Sequence, residues 1–176
     1  MLPTTRPRSD ADLAALEAIL EESAADGYPP HRPAGRNGFL ASAAERWARV
    51  AEADGVVMGH VALNDHSARS VMDLASASTG LDASALVAVA RLFVSRSLRR
   101  AGLGGTLLED ARAEAQGMGR LAVLDVWVEL AGTVAFYDAM GWHRLGEVSI
   151  EFRSPCSPRC VHEGSSIRSL VYASPT

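Results

Sequence analysis

The sequence predicts an α/β layered fold built on a mixed, mostly antiparallel sheet. Two nearly continuous apolar runs, residues 85–94 and 121–128, have the pattern of strands that are covered on both faces. An amphipathic helical segment, residues 103–118, separates them as in a β-α-β crossover. Short alternating segments before and after this unit indicate antiparallel strands, so the fold is not doubly wound.

The N-terminal elements follow from local signals. Residues 4–7 predict a short first strand. A helix then extends to about residue 25, because Leu13, Leu16, Ile19 and Leu20 share one helical face behind an N-cap candidate at Ser9. Residues 28–38 hold three prolines and two glycines, which indicates a loop, and residues 39–45 predict a short second helix.

The remaining elements complete the sheet. Residues 46–52 and 56–63 alternate on either side of an Asp-Gly turn signal, which predicts a hairpin. Residues 64–84 are polar and rich in small side chains, so we expect a loop insertion with one helical turn at most. The final elements are a short helix over residues 133–140 and an antiparallel pair, residues 148–152 and 167–172.

Composition narrows the classes of function. The 176 residues fit one domain, residues 1–176, and the formal net charge of −4 predicts neither a nucleic-acid partner nor a membrane surface. All 17 basic residues are arginine, which excludes a Walker-type phosphate loop and Schiff-base chemistry on lysine. No signal peptide or membrane span is evident, and two cysteines suit a reducing compartment, so we expect a cytoplasmic protein.

One segment predicts a pyrophosphate site. After the apolar strand comes a basic, glycine-rich turn, and a helix opens at the glycines. The first turn of a helix offers unpaired N–H groups and a positive dipole end, and the turn's arginines, Arg99 and Arg100, add charge-assisted contacts. A dinucleotide fingerprint would need a third glycine where Leu107 stands, so we regard a dinucleotide as the weaker alternative.

The same residues carry a resemblance to a known family. Arg99-x-x-Gly102-x-Gly104 is similar to the Q/R-x-x-G-x-G/A signature of GNAT acetyltransferases, and the segment from Ala135 to Trp142, AFYDAMGW, is similar to that family's second motif. The order and spacing of the two motifs also agree. The resemblance implies the GNAT-type sheet, with splayed central strands and helices on both faces, and acetyl-CoA as co-substrate without a metal.

The resemblance also implies roles for individual residues. Backbone groups of one strand would pair with the pantetheine arm, and the Val94 amide would stabilise the oxyanion. Amides of the turn would cradle the pyrophosphate. Tyr137 would protonate the departing thiolate. The cofactor-binding residues implied are Leu92, Phe93, Val94, Arg99, Arg100, Ala101, Gly102, Leu103, Gly104, Gly105 and Thr106. The chain departs from the family at Arg96, where proline is common, and at Leu130, where asparagine is common.

Alternatives remain at several positions. Tyr137 can instead be a packing aromatic. Glu129, at the end of a strand, is the candidate general base, or else a solvent-facing carboxylate. Asp125, in mid-strand, can point into the cleft or serve a structural hydrogen bond. Tyr28 and His31 in the first long loop, and His60 in a strand, are candidate substrate-binding residues, against the alternatives of an ordinary polar loop and a packed histidine.

The predicted activity is transfer of an acetyl group from acetyl-CoA to a primary amine of a small molecule, by direct attack in a ternary complex. The alternatives are a protein or peptide N-acetyltransferase and a catalytically silent acyl-CoA-binding domain. Cys156, Cys160 and His162 are too few and too close for a convincing metal site, which leaves a loop disulfide or two free thiols. The sequence does not show the oligomeric state, although homodimers are common among the proteins that it resembles.

Overall fold

A computed structural model describes residues 3–24, 39–99, 101–151 and 166–175. Its seven strands form one sheet in the order β1-β2-β3-β4-β5-β7-β6, and every neighbouring pair is antiparallel except β4 and β5. The strands are β1 Thr4–Pro7, β2 Glu45–Ala53, β3 Val56–Asn64, β4 Leu86–Val94, β5 Leu121–Trp127, β6 His143–Glu151 and β7 Ser166–Ala173. The helices are α1 Leu13–Ala24, α2 Arg69–Thr79, α3 Leu103–Gly117 and α4 Ala131–Ala139. The predicted α/β class with helices on both faces is confirmed.

Helices cover the two faces of this sheet in a simple division. Val87 and Val89 of β4 pack in the core cluster that contains α3, whereas Leu86 packs with residues of α2. Phe93, near the other end of the same strand, packs with α1. Because neighbouring strand residues point to opposite faces, α3 covers one face, and α1 and α2 share the other.

The long connection between β3 and β4 corrects one prediction. The expected loop over residues 64–84 contains α2, a helix of 11 residues rather than a single turn. Val71, Met72 and Ala75 are its buried positions, and they pack against β5 and β7 through Val123 and Val171. The apolar stripe is narrow because serine, alanine and threonine fill the rest of the helix, and this composition concealed the helix in the sequence.

Two boundaries also differ from prediction. The second helix predicted for residues 39–45 is wrong at its end, because only Phe39 and Leu40 are helical among these residues and Glu45 opens β2. The Glu45 side chain lies on the α1 side of the sheet, where it forms ion pairs with Arg8 and Arg91. Strand β6 begins at His143, five residues before the expected start. It contains a bulge near Gly146, where an added Cβ would lie 3.1 Å from the Leu74 side chain of α2.

In the described part of the chain, no helix has both the length and the apolar character needed to cross a bilayer.

Candidate active site

The two parallel strands at the centre of the sheet separate along their length. Their ladder consists of three residue pairs and stops at Ala88 opposite Val123. Beyond that point β4 pairs with β3 alone, while the rest of β5 pairs with β7. The strands therefore diverge toward their carboxyl ends and leave a wedge-shaped cleft, the splayed arrangement that the sequence predicted.

A β-bulge in β4 accompanies the cleft. His60 lies opposite Phe93 and Ala62 lies opposite Ala90, so one residue of β3 faces two residues of β4. One of these two, Arg91, has a φ of 53°, which is unusual for a residue with a side chain. The bulge increases the local twist of β4 where it leaves β5.

The end of β4 presents backbone groups to this cleft. The Ser95 N–H donates to the Met58 carbonyl on β3, with an N···O distance of 2.8 Å. Because successive amides in a strand point in opposite directions, the Val94 N–H points to the cleft side of β4. Leu92 and Val94 pack toward α3, and Phe93 is buried on the opposite face. An extended chain lying in the cleft can therefore pair with the strand edge, as a further strand would.

The turn between β4 and α3 forms the second part of the site. Gly102 has a φ of 81° and stands at the N-cap of α3, a conformation that glycine adopts without strain. The Thr106 N–H donates to the Gly102 carbonyl at 3.1 Å. Helix geometry then leaves the N–H groups of Leu103, Gly104 and Gly105 without an intrahelical acceptor, at the positive end of a helix of 15 residues. This arrangement suits a phosphate group.

Two of the glycines have a packing role that the sequence did not reveal. A Cβ at Gly104 would lie 3.7 Å from the Phe136 ring, and a Cβ at Gly105 would lie 3.4 Å from the Met140 sulfur. The first turn of α3 thus lies close against α4. The motif that was interpreted as a phosphate turn also fixes the position of the helix that carries Tyr137.

The arginine of the motif binds within the protein. Arg99 donates from Nη2 to the Ser23 hydroxyl at 3.3 Å, and this contact ties the turn to the end of α1. Phosphate binding by the Arg99 side chain stays a prediction. Arg100 is outside the described residues, and the same prediction for it is untested.

Tyr137 lies in α4 with 7% of its surface exposed. Its ring centroid is 5.2 Å from that of Phe136, 6.2 Å from that of Trp142 and 5.8 Å from that of Tyr172. These rings fix the direction of the phenol, which a general acid requires, although they serve a packing role equally well.

Two carboxylates of the β5 region occupy different environments. Glu129 lies in the exposed turn after β5, near Arg168 of β7. Asp125 lies two residues past the last β4–β5 pair, and it accepts a hydrogen bond from Ser67 at 3.3 Å. Burial raises the pKa of Asp125, and this effect outweighs the opposite influence of the neighbouring serine hydroxyls. The sequence favoured Glu129 as the general base, because the burial of Asp125 at the edge of the cleft cannot be recognised from the residues of one strand.

His60 is completely buried on the α1 side of β3. Its Nδ1–H donates to the carbonyl of Arg91 at 3.0 Å, and its ring stacks on Phe93 at 5.4 Å between centroids. Desolvation lowers the pKa of His60 to about 4, so the ring is neutral at pH 7. The side chain therefore supports the bulge beside the cleft, and its role in substrate binding stays a prediction.

Several predicted residues lie outside the described part of the chain. They are Tyr28, His31, Cys156, Cys160 and His162. Within the described residues, no group of three or more histidine, cysteine, aspartate or glutamate side chains is arranged to hold a metal ion.

Comparison with known proteins identifies the family. The model of the acetyltransferase (GNAT) family matches residues 13–142, from α1 to the end of α4 and its following turn. The chain belongs to this GNAT family. It is accordingly an acyl-CoA-dependent acetyltransferase, and acetyl-CoA is the co-substrate that the strand edge and the α3 turn suit. No curated protein sequence is similar enough to match.

Solved structures share the fold of this GNAT acetyltransferase at low identity. Arabidopsis thaliana NAA60 in complex with acetyl-CoA is 17% identical, with a TM-score of 0.71, and the match covers 98% of this chain and 97% of that one. An N-acetyltransferase from Staphylococcus aureus Mu50 is 15% identical, with a TM-score of 0.70 and 98% of both chains covered. An acetyltransferase of the GNAT family from Streptococcus pneumoniae is 18% identical, with a TM-score of 0.63 and 98% of both chains covered.

Proposed function

We propose that this GNAT protein transfers the acetyl group of acetyl-CoA to the primary amine of a small molecule, by direct attack in a ternary complex in the cytoplasm. The observation that carries the proposal is a cleft that opens where the β4–β5 ladder ends, at Ala88 and Val123, together with a helix N-terminus that suits phosphate at the carboxyl end of β4, where a Cβ at Gly104 would lie 3.8 Å from the Val94 side chain. Together these features provide a place for the pantetheine arm, the pyrophosphate and a reacting thioester.

Asp125 is the general base that the geometry favours. It lies on β5 just past the vertex of the cleft, on the face opposite α3, and its pKa is raised by burial. A base with a raised pKa accepts a proton from an ammonium group more readily than an ordinary aspartate does. Glu129 remains the competing candidate, and it would act through water because it lies in the exposed turn.

Transfer then requires stabilisation of two charges. The amine attacks the thioester carbonyl, and the Val94 N–H donates to the developing oxyanion. The C–S bond breaks as the tetrahedral intermediate collapses, and Tyr137 donates its phenolic proton to the thiolate. The proton that the amine loses passes to the base, so the products are an amide and free CoA.

The first test measures co-substrate binding by thermal unfolding. Acetyl-CoA at about 100 times its Kd stabilises a fold by about 2.7 kcal/mol. For a domain of this size, each kcal/mol raises the midpoint by roughly 2–4 °C. We expect a shift with acetyl-CoA and none with NADH or ATP at equal concentration. An equal shift with NADH would contradict our assignment of the phosphate turn.

The second test measures turnover as release of the CoA thiol over a panel of small amines and peptides with free N-termini. Turnover of small amines supports the proposal. Faster turnover of peptides would establish a protein acetyltransferase instead. Binding of acetyl-CoA with no turnover of any amine would establish a silent acyl-CoA-binding domain.

A further inference from the structure

A serine hydroxyl holds the carboxylate of Asp125 from the α2 side of the sheet. Ser67, in the connection between β3 and α2, donates from Oγ to Asp125 Oδ1 at 3.3 Å, although the two residues are 58 positions apart. The backbone is fixed on both sides of Ser67. The Asp65 N–H donates to a carbonyl of the segment before β2 at 2.9 Å, and the Ala68 carbonyl accepts from two N–H groups of the first turn of α2 at 3.0 and 3.2 Å. The hydroxyl therefore has a defined position over β5.

A second serine lies beside the same carboxylate. Ser169 is opposite Trp127 in the β5–β7 register and Asp125 is opposite Val171, so Ser169 and Asp125 are diagonal neighbours on one face of the sheet. The Ser169 hydroxyl is completely buried and makes no hydrogen bond of good geometry with the described residues, yet it is close enough to lower the pKa of Asp125. A buried hydroxyl without a partner is costly, so Ser169 is a second donor available to the carboxylate.

Charged side chains on the elements around Asp125 are engaged in ion pairs of their own. The pairs are Asp65 with Arg46 and Arg120, Arg69 with Asp73 on α2, Arg91 of β4 with Glu45 of β2, and Arg168 of β7 with Glu147 of β6. His66 and Glu129, the other titratable groups on the adjoining segments, are exposed. Burial and the two serine hydroxyls therefore govern the pKa of Asp125, with no charged side chain of the described residues among the causes.

Partners of this kind suit a general base. A buried carboxylate without a donor stays protonated and cannot accept a proton from an amine, whereas a guanidinium partner would lower the pKa of the carboxyl and make it a weaker base. A neutral hydroxyl stabilises the ionised form less than a guanidinium does. The serine donors thus let Asp125 ionise, while burial keeps its pKa above the ordinary value.

We propose that Ser67 is a positioning residue for acetyl transfer: its hydroxyl holds Oδ1 of Asp125 and turns Oδ2 toward the cleft. The amine nitrogen forms its bond to the thioester carbonyl carbon and releases its proton to Oδ2. Ser169 supports the carboxylate from β7. This inference rests on the proposed acetyltransferase function with Asp125 as its base, and it adds the group that directs and tunes that base.

The pH dependence of kcat/KM tests the inference, with CoA formation quantified by chromatography and the best small amine of the panel as acceptor. The acid limb of the wild-type profile reports the ionisation of Asp125. Loss of a donor raises the pKa of the carboxyl, so Ser67→Ala should move the acid limb to higher pH by roughly 0.5–1 pH unit, the effect of one hydrogen bond. The plateau at high pH should fall by roughly 3-fold or more, because the carboxylate is no longer held in one direction.

Matched variants separate this role from a general effect on the fold. Ser67→Thr keeps the hydroxyl and should restore most of the wild-type profile. Ser70→Ala is the control, because the Ser70 hydroxyl donates to the Ser149 carbonyl of β6, also at 3.3 Å, and its removal should leave the profile unchanged. A thermal shift with acetyl-CoA shows that each variant is folded. If Ser67→Ala does not fold, Ser67→Cys takes its place with the same direction expected, because a thiol of similar size is a weak donor.

Carbon-13 NMR supplies a readout that does not need turnover. The Asp125 carboxyl signal, identified by its absence in Asp125→Asn, should titrate at higher pH in Ser67→Ala than in the wild type. An unchanged acid limb in folded Ser67→Ala, or equal limbs in Ser67→Ala and Ser70→Ala, would overturn the inference. Failure of the proposed function differs from both: acetyl-CoA raises the unfolding midpoint and no amine is acetylated, while the NMR titration still reports whether Ser67 holds the carboxylate.

Discussion

The two faces of the central strands differ in packing and polarity, and two adjacent residues of β3 show the contrast. Gly59 belongs to the α3 face, where an added Cβ would lie 3.1 Å from both the Leu107 side chain and the Phe93 carbonyl. His60 belongs to the α1 face, where its Nε2 is buried with no hydrogen-bond partner in the described residues. The α3 face is closely packed and apolar at this point, whereas the α1 face holds buried polar groups beside its apolar core.

This difference separates two tasks. The α3 face fixes the turn, the helix N-terminus and α4, so that the co-substrate meets a rigid site. The opposite face holds Arg8, Glu45 and Arg91 in one hydrogen-bonded group, and it carries Asp125, for which we propose the role of general base. Buried polar groups reduce stability unless they are paired, and proteins retain such groups chiefly where function requires them.

The largest expected effect is on the rate of acetyl transfer, the reaction that takes place in the cleft between the two faces. Tyr137→Phe keeps the ring packing and removes the phenolic proton, so kcat should fall by roughly 10²- to 10⁴-fold, the usual contribution of general acid catalysis. The thermal shift with acetyl-CoA should remain. Tyr172→Phe is the control, because that phenol donates to Asp138 at 3.0 Å, and it should change kcat by less than about 3-fold. Similar kcat values for Tyr137→Phe and wild type would leave Tyr137 with a packing role alone.

A second change separates the two candidate bases. We expect Asp125→Asn to lower kcat/KM by roughly 10²-fold or more and Glu129→Gln to leave it nearly unchanged. A raised pKa in the folded state means that Asp125 favours folding when protonated, and this contribution is lost as the pH rises through the folded-state pKa. At pH 8, Asp125→Asn should therefore unfold at a higher temperature than wild type. The reverse order of activity in the two variants would assign the base to Glu129.

The contrast between the faces also explains how far the sequence could predict the site. The motif around Gly102 and Gly104 is local, so the turn, the helix start and the family were predictable from it. The Arg8–Glu45–Arg91 cluster joins residues up to 83 positions apart, and only the strand order and the bulge bring them together. Helix α2 was missed because its buried stripe is short, and Asp125 was underrated because burial at a diverging strand edge leaves no pattern in one strand.

A third prediction concerns the buried histidine. His60 has a folded-state pKa of about 4 against an ordinary value of 6.5, so the unfolded chain binds more protons between these values. Its contribution to stability is present above pH 6.5 and is lost as the pH falls toward 4. Between pH 7 and pH 5 this loss should be about 2 kcal/mol in urea unfolding. His60→Asn should flatten that pH dependence, whereas His143→Asn, at an exposed position, should preserve it. An equal slope in wild type and His60→Asn would show that His60 titrates normally in the fold.

The smallest expected effect tests the close packing of the α3 face. Gly59→Ala adds one methyl group where backbone and side-chain atoms already lie at 3.1 Å, so it should destabilise the fold by on the order of 1 kcal/mol, the low end for an overpacked site. Gly117→Ala is the matched control, because nothing lies within 4 Å of the added Cβ and the residue closes α3 in a helical conformation. It should stabilise the fold by about 0.5 kcal/mol, since alanine loses less backbone entropy than glycine does. If the two variants change the free energy of unfolding in urea with opposite signs, lack of space rather than glycine's backbone freedom explains the glycine at position 59. If both variants are stabilised, β3 and α3 are less closely packed than the distances require.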